Sequence, residues 1–440
     1  MTLLRQSEKS PMDARVCPAR SSLPVVNGGL QLGNSRVVQQ VTGGISGKTL
    51  GLSQSLTRVV SALVFVGLGA LGPDGLAAYG QQSAPLTLGE PAARLARPLT
   101  HVTAVYEWRD GHLLVLDSRE QVVLLVDPAF SRARPIGRNG AGPGEYRLPV
   151  DLLELGRDSI GIVDDAKRRI LVVLGSGKLA GELSEMGTRT VDPAPRGAVP
   201  TGSDRQGHLY GLGYSPYAKD ALTRTESPIE RWRVGAARRD TVADLPLAAP
   251  EDRILPPGRG TRAFVSRPQW AVAPDGRVAV VRVEPYAVEL IDATGSRIKG
   301  PVIPFRRIPV SAAHKRLWRE KQGQPQPVTI MKPGQAAPTA ELRRMPVFEP
   351  VEWPEFLPPF LEGALHFSRE GFLWIQRTTT AGQPPLFDVV NGRGQVVAQV
   401  TIPMQTRLVG FGDRTVYLAR LDADDQQFLE RYRAPSLGRP

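Results

Sequence analysis

The side chains best suited to chemistry are scattered along this 440-residue sequence, and none of them stands in a catalytic motif. No GxSxG, HExxH, P-loop or CxxC pattern is present. A single cysteine excludes a disulfide framework and any multi-cysteine metal site, and five histidines argue against a histidine-rich centre. The segment Gly140–Glu145 contains three glycines, but no helix follows it, which excludes a dinucleotide-binding turn.

Two groups of polar and aromatic side chains are candidates for binding. The first group lies near the starts of repeated units and comprises Arg138, Glu145, Tyr146, Arg147, Arg267, Trp270 and His366. The second lies in one basic stretch and comprises Lys315, Arg316, Trp318 and Arg319. Tyr146 and Trp270 have the character of aromatic anchors. The structural alternative is packing between units, which we expect for at least three of Trp108, Trp232, Trp270 and Trp374.

The elements that must position these side chains form a repeat. Residues 109–127 align with residues 157–175 at an offset of 48, and Asp117 then matches Asp165. Each unit contains short strands rich in Val, Leu and Ile that are separated by turns containing Asp and Gly. Four looser copies follow, with turns at positions 207, 275, 370 and 413. Short strands at a period near 48 predict β-propeller blades.

Six copies predict a six-bladed, all-β propeller over residues 85–433. The wide gap between the turns at 275 and 370 leaves seven blades as an alternative. We expect that gap to hold an insert at 311–345, with a helix-like basic stretch followed by a Pro- and Gln-rich loop. The last unit has only three strands, so residues 85–95 are expected to supply its fourth strand and close the ring.

The linker between the first two units carries a more specific pattern. It reads PIGRNGAGPGEYRLP from Pro135 to Pro149, and a strand pair with an Asp-containing turn follows it. This pattern resembles the bacterial six-bladed β-propeller family related to NHL repeats, most strongly over residues 100–175. The resemblance implies an exported protein with a scaffold or binding role. The favoured reading of the linker itself is structural, with glycines that allow positive φ and Glu145 accepting backbone N–H groups.

An enzyme is the alternative function. The resemblance also extends to gluconolactonase-type lactonases and NHL-type lyases, which place a divalent metal in the central channel. Ligands would then come from innermost strands, where the sequence offers His101, Glu107, Glu154, His366 and Asp204. These residues share no position in the repeat and form no metal motif. We therefore expect a non-catalytic protein without a cofactor.

Charge and the N-terminal region bear on location and partners. The composition of residues 1–56 predicts a disordered segment, or these residues precede the true start because the start codon was assigned too far upstream. Residues 57–80 have the pattern of a signal peptide or a short membrane anchor. Removing residues 1–80 takes away Cys17 and lowers the formal net charge from +12 to +8. Scattered arginine doublets argue against nucleic acid. We expect an extracytoplasmic monomer that binds an envelope protein or an anionic surface polymer.

Overall fold

The computed structural model describes most of the chain after residue 83. The described residues are 84–140, 142–156, 158–184, 200–213, 223–236, 238–248, 262–330, 339–344 and 346–438. The predictions for residues 1–56 and 57–80, including Cys17, lie outside them. Within these ranges no helix is both long enough and apolar enough to cross a membrane.

The chain folds into six blades of four antiparallel strands each, one of which gains a fifth strand, and this confirms the six-bladed propeller over the seven-bladed alternative. Two short strands come first: β1 (Leu86–Thr87) and β2 (Ala93–Arg94). Blade 1 contains β3 (Val102–Glu107), β4 (Leu113–Asp117), β5 (Val122–Val126) and β6 (Ala133–Pro135). Blade 2 contains β7 (Pro149–Gly156), β8 (Ser159–Asp164), β9 (Arg169–Leu174) and β10 (Leu179–Leu183). Blade 3 contains β11 (Gly202–Ser203), β12 (His208–Leu212), β13 (Glu226–Arg233) and β14 (Asp240–Pro246).

Blades 4 to 6 repeat this plan around a large insertion. Blade 4 contains β15 (Gln269–Val272), β16 (Val278–Arg282), β17 (Ala287–Ile291) and β18 (Arg297–Lys299). The insertion carries β19 (Ile308–Pro309), α1 (Ala312–Gln322), β20 (Gln326–Ile330), β21 (Thr339–Arg343) and β22 (Phe356–Leu357). Blade 5 contains β23 (Phe360–Phe367), β24 (Leu373–Arg377), β25 (Leu386–Val390) and β26 (Val396–Thr401). Blade 6 contains β27 (Thr406–Gly412), β28 (Thr415–Leu421) and β29 (Gln427–Arg433).

The core lies between neighbouring blades. Each blade is covered on both faces, so its middle strands read as continuous apolar runs rather than as alternating ones: all five residues of β4 are buried. Trp108, Trp232 and Trp374 are almost fully buried in clusters that join blades 1 and 2, 2 and 3, and 5 and 6. This confirms inter-blade packing for three of the four tryptophans. Trp270 is only half-buried.

The ring is closed by the N-terminal segment, as the sequence predicts. Strand β2 pairs antiparallel with β29 and becomes the fourth strand of blade 6. Strand β1 pairs in parallel with β26 and adds an unforeseen fifth strand to blade 5. Both pairings cover strand edges that would otherwise present unpaired backbone groups.

The insertion follows its prediction only in part. Residues 312–322 form the expected helix, which begins with a capping box between Ser311 and His314. The Pro- and Gln-rich segment contains a second strand, however, because β20 pairs with β21 as a hairpin. The sequence TAELR of β21 favours a helix by composition, and pairing with β20 overrides that preference.

The repeat is one residue shorter than its sequence alignment indicates. Asp117 accepts the backbone N–H groups of Thr100 (2.6 Å) and His101 (3.0 Å), which lead into β3. In blade 2 the residue that accepts the corresponding amides is Asp164, not Asp165. Side chains of a strand alternate between its two faces. The one-residue error in the sequence alignment therefore selects the partly exposed Asp165 in place of the buried Asp164. The offset between blades 1 and 2 is therefore 47.

Candidate functional site

The innermost strands of the six blades run side by side around the central channel. Neighbouring innermost strands are parallel: a Cβ atom added to Gly410 would meet Val105, and one added to Gly412 would meet Glu107. All six strands thus begin at one end of the propeller, which we call the top face. The opposite end is the bottom face. The crossover from each blade to the next one lies at the top.

A large cleft opens on the top face above blades 3, 4 and 5. Its volume is about 1040 Å³, within the range of ordinary ligand sites or slightly above it. Its walls are formed by residues at the upper ends of strands in all three blades, and Trp270 of β15 lies among them. The preceding segment adds Phe264 and Arg267.

Helix α1 forms part of the cleft wall. His314, Leu317, Trp318 and Lys321 on one side of the helix line the cleft. The His314 ring lies 3.2 Å from the carbonyl oxygen of Thr379, which ties the start of the helix to blade 5. Just beyond the helix, Gln324 accepts a hydrogen bond of 3.2 Å from Arg119 of blade 1. The helix therefore makes contacts with two separate blades at the top face.

Trp353 holds this helix on the propeller. The rings of Trp318 and Trp353 meet edge to face at 5.4 Å, and the ring of Phe264 lies 5.9 Å from that of Trp353. The cationic groups of Lys315 and Arg319 each lie 5.3 Å from the Trp353 ring centre. Arg319 also donates two hydrogen bonds to the carboxylate of Glu349.

The cleft is cationic and aromatic in character. Arg262, Arg267 and Lys321 line it, whereas Glu362 is the single carboxylate among the described residues that line it. The amide of Gln269 spans from blade 4 to blade 5, because it donates to the carbonyl of Leu361 (2.6 Å) and accepts from the N–H of Gly363. Indole rings and arginines together suit a ligand with flat apolar faces and negative charges.

The structure brings three of the sequence-predicted residues to this cleft. Arg267, Trp270 and Trp318 line one space although they come from the two separate groups of candidates. Lys315 and Arg319 lie against Trp353, and Arg316 lies 3.8 Å from Glu320 on an exposed part of the helix. Their proposed contacts with a partner stay predictions.

The predicted residues of the glycine-rich linker lie elsewhere, in the crossover between blades 1 and 2. Tyr146 is fully buried, and its hydroxyl accepts the backbone N–H of Val123 (3.0 Å). Glu145 accepts the N–H of Gly142 and a hydrogen bond from Arg138, both at 2.6 Å, and these contacts hold the pKa of its carboxyl below the usual value. The backbone N–H of Arg147 donates to Asp164. This geometry supports the structural reading of the linker.

The glycines of that linker act in two different ways. Only Gly137 and Gly144 have positive φ, at 68° and 69°. Gly140 is required because a Cβ atom there would collide with the Glu145 carboxylate. The expectation of positive φ is therefore wrong for Gly140 and Gly142, and the role of Gly140 is to leave space for a side chain.

The bottom face of the channel is crossed by a polar bridge. Arg205 of blade 3 donates to the carbonyl of Arg369 in blade 5 (2.8 Å), and Arg369 donates to the carbonyl of Glu107 in blade 1. The Arg369 guanidinium also lies over the ring of Tyr106, whose hydroxyl donates to Glu154 (3.4 Å). Burial raises the pKa of Tyr106 to about 12 and raises the pKa of Glu154, although Arg369 and Arg205 oppose the shift of Glu154.

The candidate metal ligands of the enzyme alternative do not come together. Glu107 accepts hydrogen bonds from Thr415 and Tyr417, and Asp204 accepts them from Tyr210 and its own turn. Across the described part of the chain, no group of three or more His, Cys, Asp or Glu side chains is placed to hold a metal ion.

Sequence reasoning missed two charged residues of the channel, Asp151 and Arg407. Both stand near the starts of innermost strands, in β7 and β27. Asp151 has the backbone N–H of Leu152 as its described hydrogen-bond partner, and burial raises its pKa to about 6. The sequence signal that could have found them is a charged residue near the start of an innermost strand. That signal can be used only when the strands of each blade have been aligned correctly.

Comparisons with known proteins give similarity in fold only. No protein-family model matches the chain, and no curated protein matches it. Among solved structures, it is similar to a gluconolactonase from Xanthomonas campestris, at 12% identity and a TM-score of 0.38 over 80% of this chain and 98% of that one. It is also similar to a DUF4221 family member from Bacteroides vulgatus, at 8% identity and a TM-score of 0.46 over 78% and 97%. A third similar structure is regucalcin from Agrobacterium tumefaciens, a calcium-binding protein. It has 11% sequence identity and a TM-score of 0.35 over 80% of this chain and 98% of that one.

Proposed function

We propose that the chain is an exported, non-catalytic binding propeller that holds an anionic surface polysaccharide in the top-face cleft. The observation that carries this proposal is the meeting of Arg267, Trp270 and Trp318 around one space of about 1040 Å³. Indole faces stack on sugar rings, and guanidinium groups pair with the carboxylates of acidic sugars.

The charge of the whole chain supports the same class of ligand. Without residues 1–80 the formal net charge is +8, which attracts a polyanion at a distance. The cleft concentrates that attraction, since Glu362, the one carboxylate among its described lining residues, is exposed and so well solvated.

The test is native electrophoresis of residues 81–440 in gels containing polygalacturonate, with neutral dextran as the reference gel. We expect polygalacturonate alone to retard the wild-type protein. Trp270→Ala and Arg267→Ala are expected to weaken retardation by at least about tenfold in apparent affinity, as central anchor residues do. Arg316→Ala removes the same charge from an exposed site outside the cleft and should migrate like wild type.

Two results would overturn the proposal. Wild-type protein that moves equally in both gels has no affinity for this class of polymer. Equal weakening by Arg267→Ala and Arg316→Ala would mean that binding depends on net charge and not on the cleft.

Export is tested separately. The leader at 57–80 predicts that the secreted or periplasmic product begins near residue 80. N-terminal sequencing of the protein from the envelope fraction is expected to show that start, and a product that begins at Met1 would contradict export by cleavage.

A further inference from the structure

The central channel contains a partly buried arginine whose charge has no counter-ion among the described residues. Arg407 is the second residue of β27 in blade 6, and its guanidinium donates to the carbonyl of Val102 at the start of β3. Among the residues described, no carboxylate pairs with it. Burial lowers the pKa of Arg407, which is the direction expected for a cation without an anion nearby.

Other partly buried arginines of the propeller differ from Arg407. Arg420 of β28 donates to both carboxylate oxygens of Glu430 at 2.8 Å, and Arg377 of β24 lies 3.3 Å from Asp388. A charge that is shielded from water is more stable when it is paired. Arg407 differs from these arginines because it has no carboxylate partner among the described residues.

Two neutral imidazoles lie in the field of Arg407. His101 directly precedes β3 in blade 1, and His366 belongs to β23 in blade 5. Burial first and the Arg407 charge second lower the pKa of each imidazole to about 4. Each ring is thus neutral at pH 7 and can donate one N–H. His366 has no hydrogen-bond partner within the described ranges, and His101 lies 3.4 Å from the amide of Gln427.

The charged groups that act on these histidines do not supply the missing anion. Arg119 and Asp117 oppose each other at His101, and Asp117 is already engaged with four backbone N–H groups. Asp151 on β7 has the backbone N–H of Leu152 as its described hydrogen-bond partner, and no ion pair joins it to Arg407 among the described residues.

We propose that Arg407, His366 and His101 form a binding site for a small oxyanion in the central channel. Four of the five N–H groups of Arg407 are unused within the described part of the molecule, and a guanidinium binds carboxylate, sulfate or phosphate oxygens through two parallel N–H groups. Neutral imidazoles add N–H donors without bringing a second buried charge. None of the three residues lines the top-face cleft, so this proposal is independent of the polysaccharide proposal.

The direct test is a selenate soak of wild-type crystals at the selenium edge. An anomalous peak within hydrogen-bond distance of Arg407 is expected. A wild-type map without a peak in the channel at saturating selenate would overturn the site.

The solution test compares thermal unfolding in sodium sulfate and in sodium chloride at equal ionic strength. Sulfate stabilises most proteins by exclusion, so the readout is the difference between variants. The wild type and Arg420→Gln, which removes a carboxylate-paired arginine, should share a saturable rise of several degrees in Tm from specific binding. Arg407→Gln should lose that rise, and Arg407→Lys should retain part of it. An equal rise in Tm for Arg407→Gln and Arg420→Gln would contradict the proposal. If Arg407→Gln does not fold, the selenate soak of the wild type decides whether the site exists.

Discussion

Blades 1 and 2 place their buried carboxylates differently from blades 4, 5 and 6. The centre of the third strand is Leu124 in blade 1 and Leu171 in blade 2. At the same position of the sheet, blades 4, 5 and 6 carry a carboxylate. The corresponding residues are Glu289, Asp388 and Glu430, each opposite the central residue of the second strand.

A second position changes together with the first. Two residues beyond the centre of the second strand, blades 1 and 2 have Asp117 and Asp164. In that place the later blades have an arginine, and the residues are Arg282, Arg377 and Arg420. Each arginine pairs with the carboxylate of its own third strand. Blade 3 is intermediate, since Glu230 pairs instead with Arg239.

This difference shows that the same residue type serves two purposes in one fold. In blades 1 and 2 the aspartate accepts amides of the chain that arrives from the preceding segment, and so it orients the innermost strand. In blades 4 to 6 the carboxylate forms an ion pair between two strands of its own sheet instead. The change of charge sign at one position also explains why the repeat is easy to recognise only over residues 100–175.

The largest expected effect comes from breaking a pair in blade 5. Asp388→Leu gives blade 5 the apolar centre of blade 1, but it leaves Arg377 unpaired and removes the acceptor of the Tyr286 hydroxyl. We expect a loss of about 3–5 kcal/mol in the free energy of unfolding, measured by urea titration with tryptophan fluorescence. The double variant Asp388→Leu, Arg377→Met should recover most of it. If the double variant is no more stable than the single one, the pair does not act as described.

A smaller effect separates the two adjacent aspartates of blade 2. Asp164 is fully buried and accepts three backbone N–H groups, whereas Asp165 is partly exposed and pairs with Arg168. Asp164→Ala should cost about 2–3 kcal/mol because it leaves amides unsatisfied, and Asp165→Ala should cost less than about 1 kcal/mol. Urea unfolding of both variants checks the 47-residue offset, and the reverse order would restore the 48-residue alignment.

The smallest effect has the opposite sign and concerns Asp151. Its pKa of about 6 in the folded state is above the unfolded value near 3.9, so folding becomes less favourable as pH rises from about 4 to 6. Asp151→Asn should therefore stabilise the protein at pH 7 by about 1–2 kcal/mol and have little effect at pH 4. Unfolding measured at both pH values tests this, and stabilisation of equal size at pH 4 would exclude titration as its cause.

The sequence predicted the parts of the fold that depend on local pattern. The turns at 110, 158, 207, 275, 370 and 413 predicted six blades, and the three-stranded last unit predicted closure by the N-terminal segment. The register of blade 2 was missed because Asp164 and Asp165 are adjacent aspartates and only a hydrogen bond distinguishes them. Strand β21 was missed because its local sequence does not favour a strand, and only its pairing with β20 makes it one.

The candidate site was less accessible to sequence reasoning. Trp270 and Trp318 are distant in the chain, and only the path of the insertion brings them to one cleft. Tyr146 is a residue type that often anchors a ligand, yet its side chain is buried between blades. Arg407 looks like any other strand arginine, because its distinguishing property is the absence of a described acidic neighbour. Exposure and pairing of this kind become visible only in three dimensions.

The closing strands also impose an order on synthesis. Strand β2 emerges from the ribosome early, but its partner β29 is among the last segments made. At about 5–20 residues per second, the chain between them takes on the order of a minute or less to complete. During that interval Leu95, fully buried in the finished protein, has no partner from blade 6. Residues 84–95 therefore cannot take up their final strand pairings until blades 5 and 6 have been made.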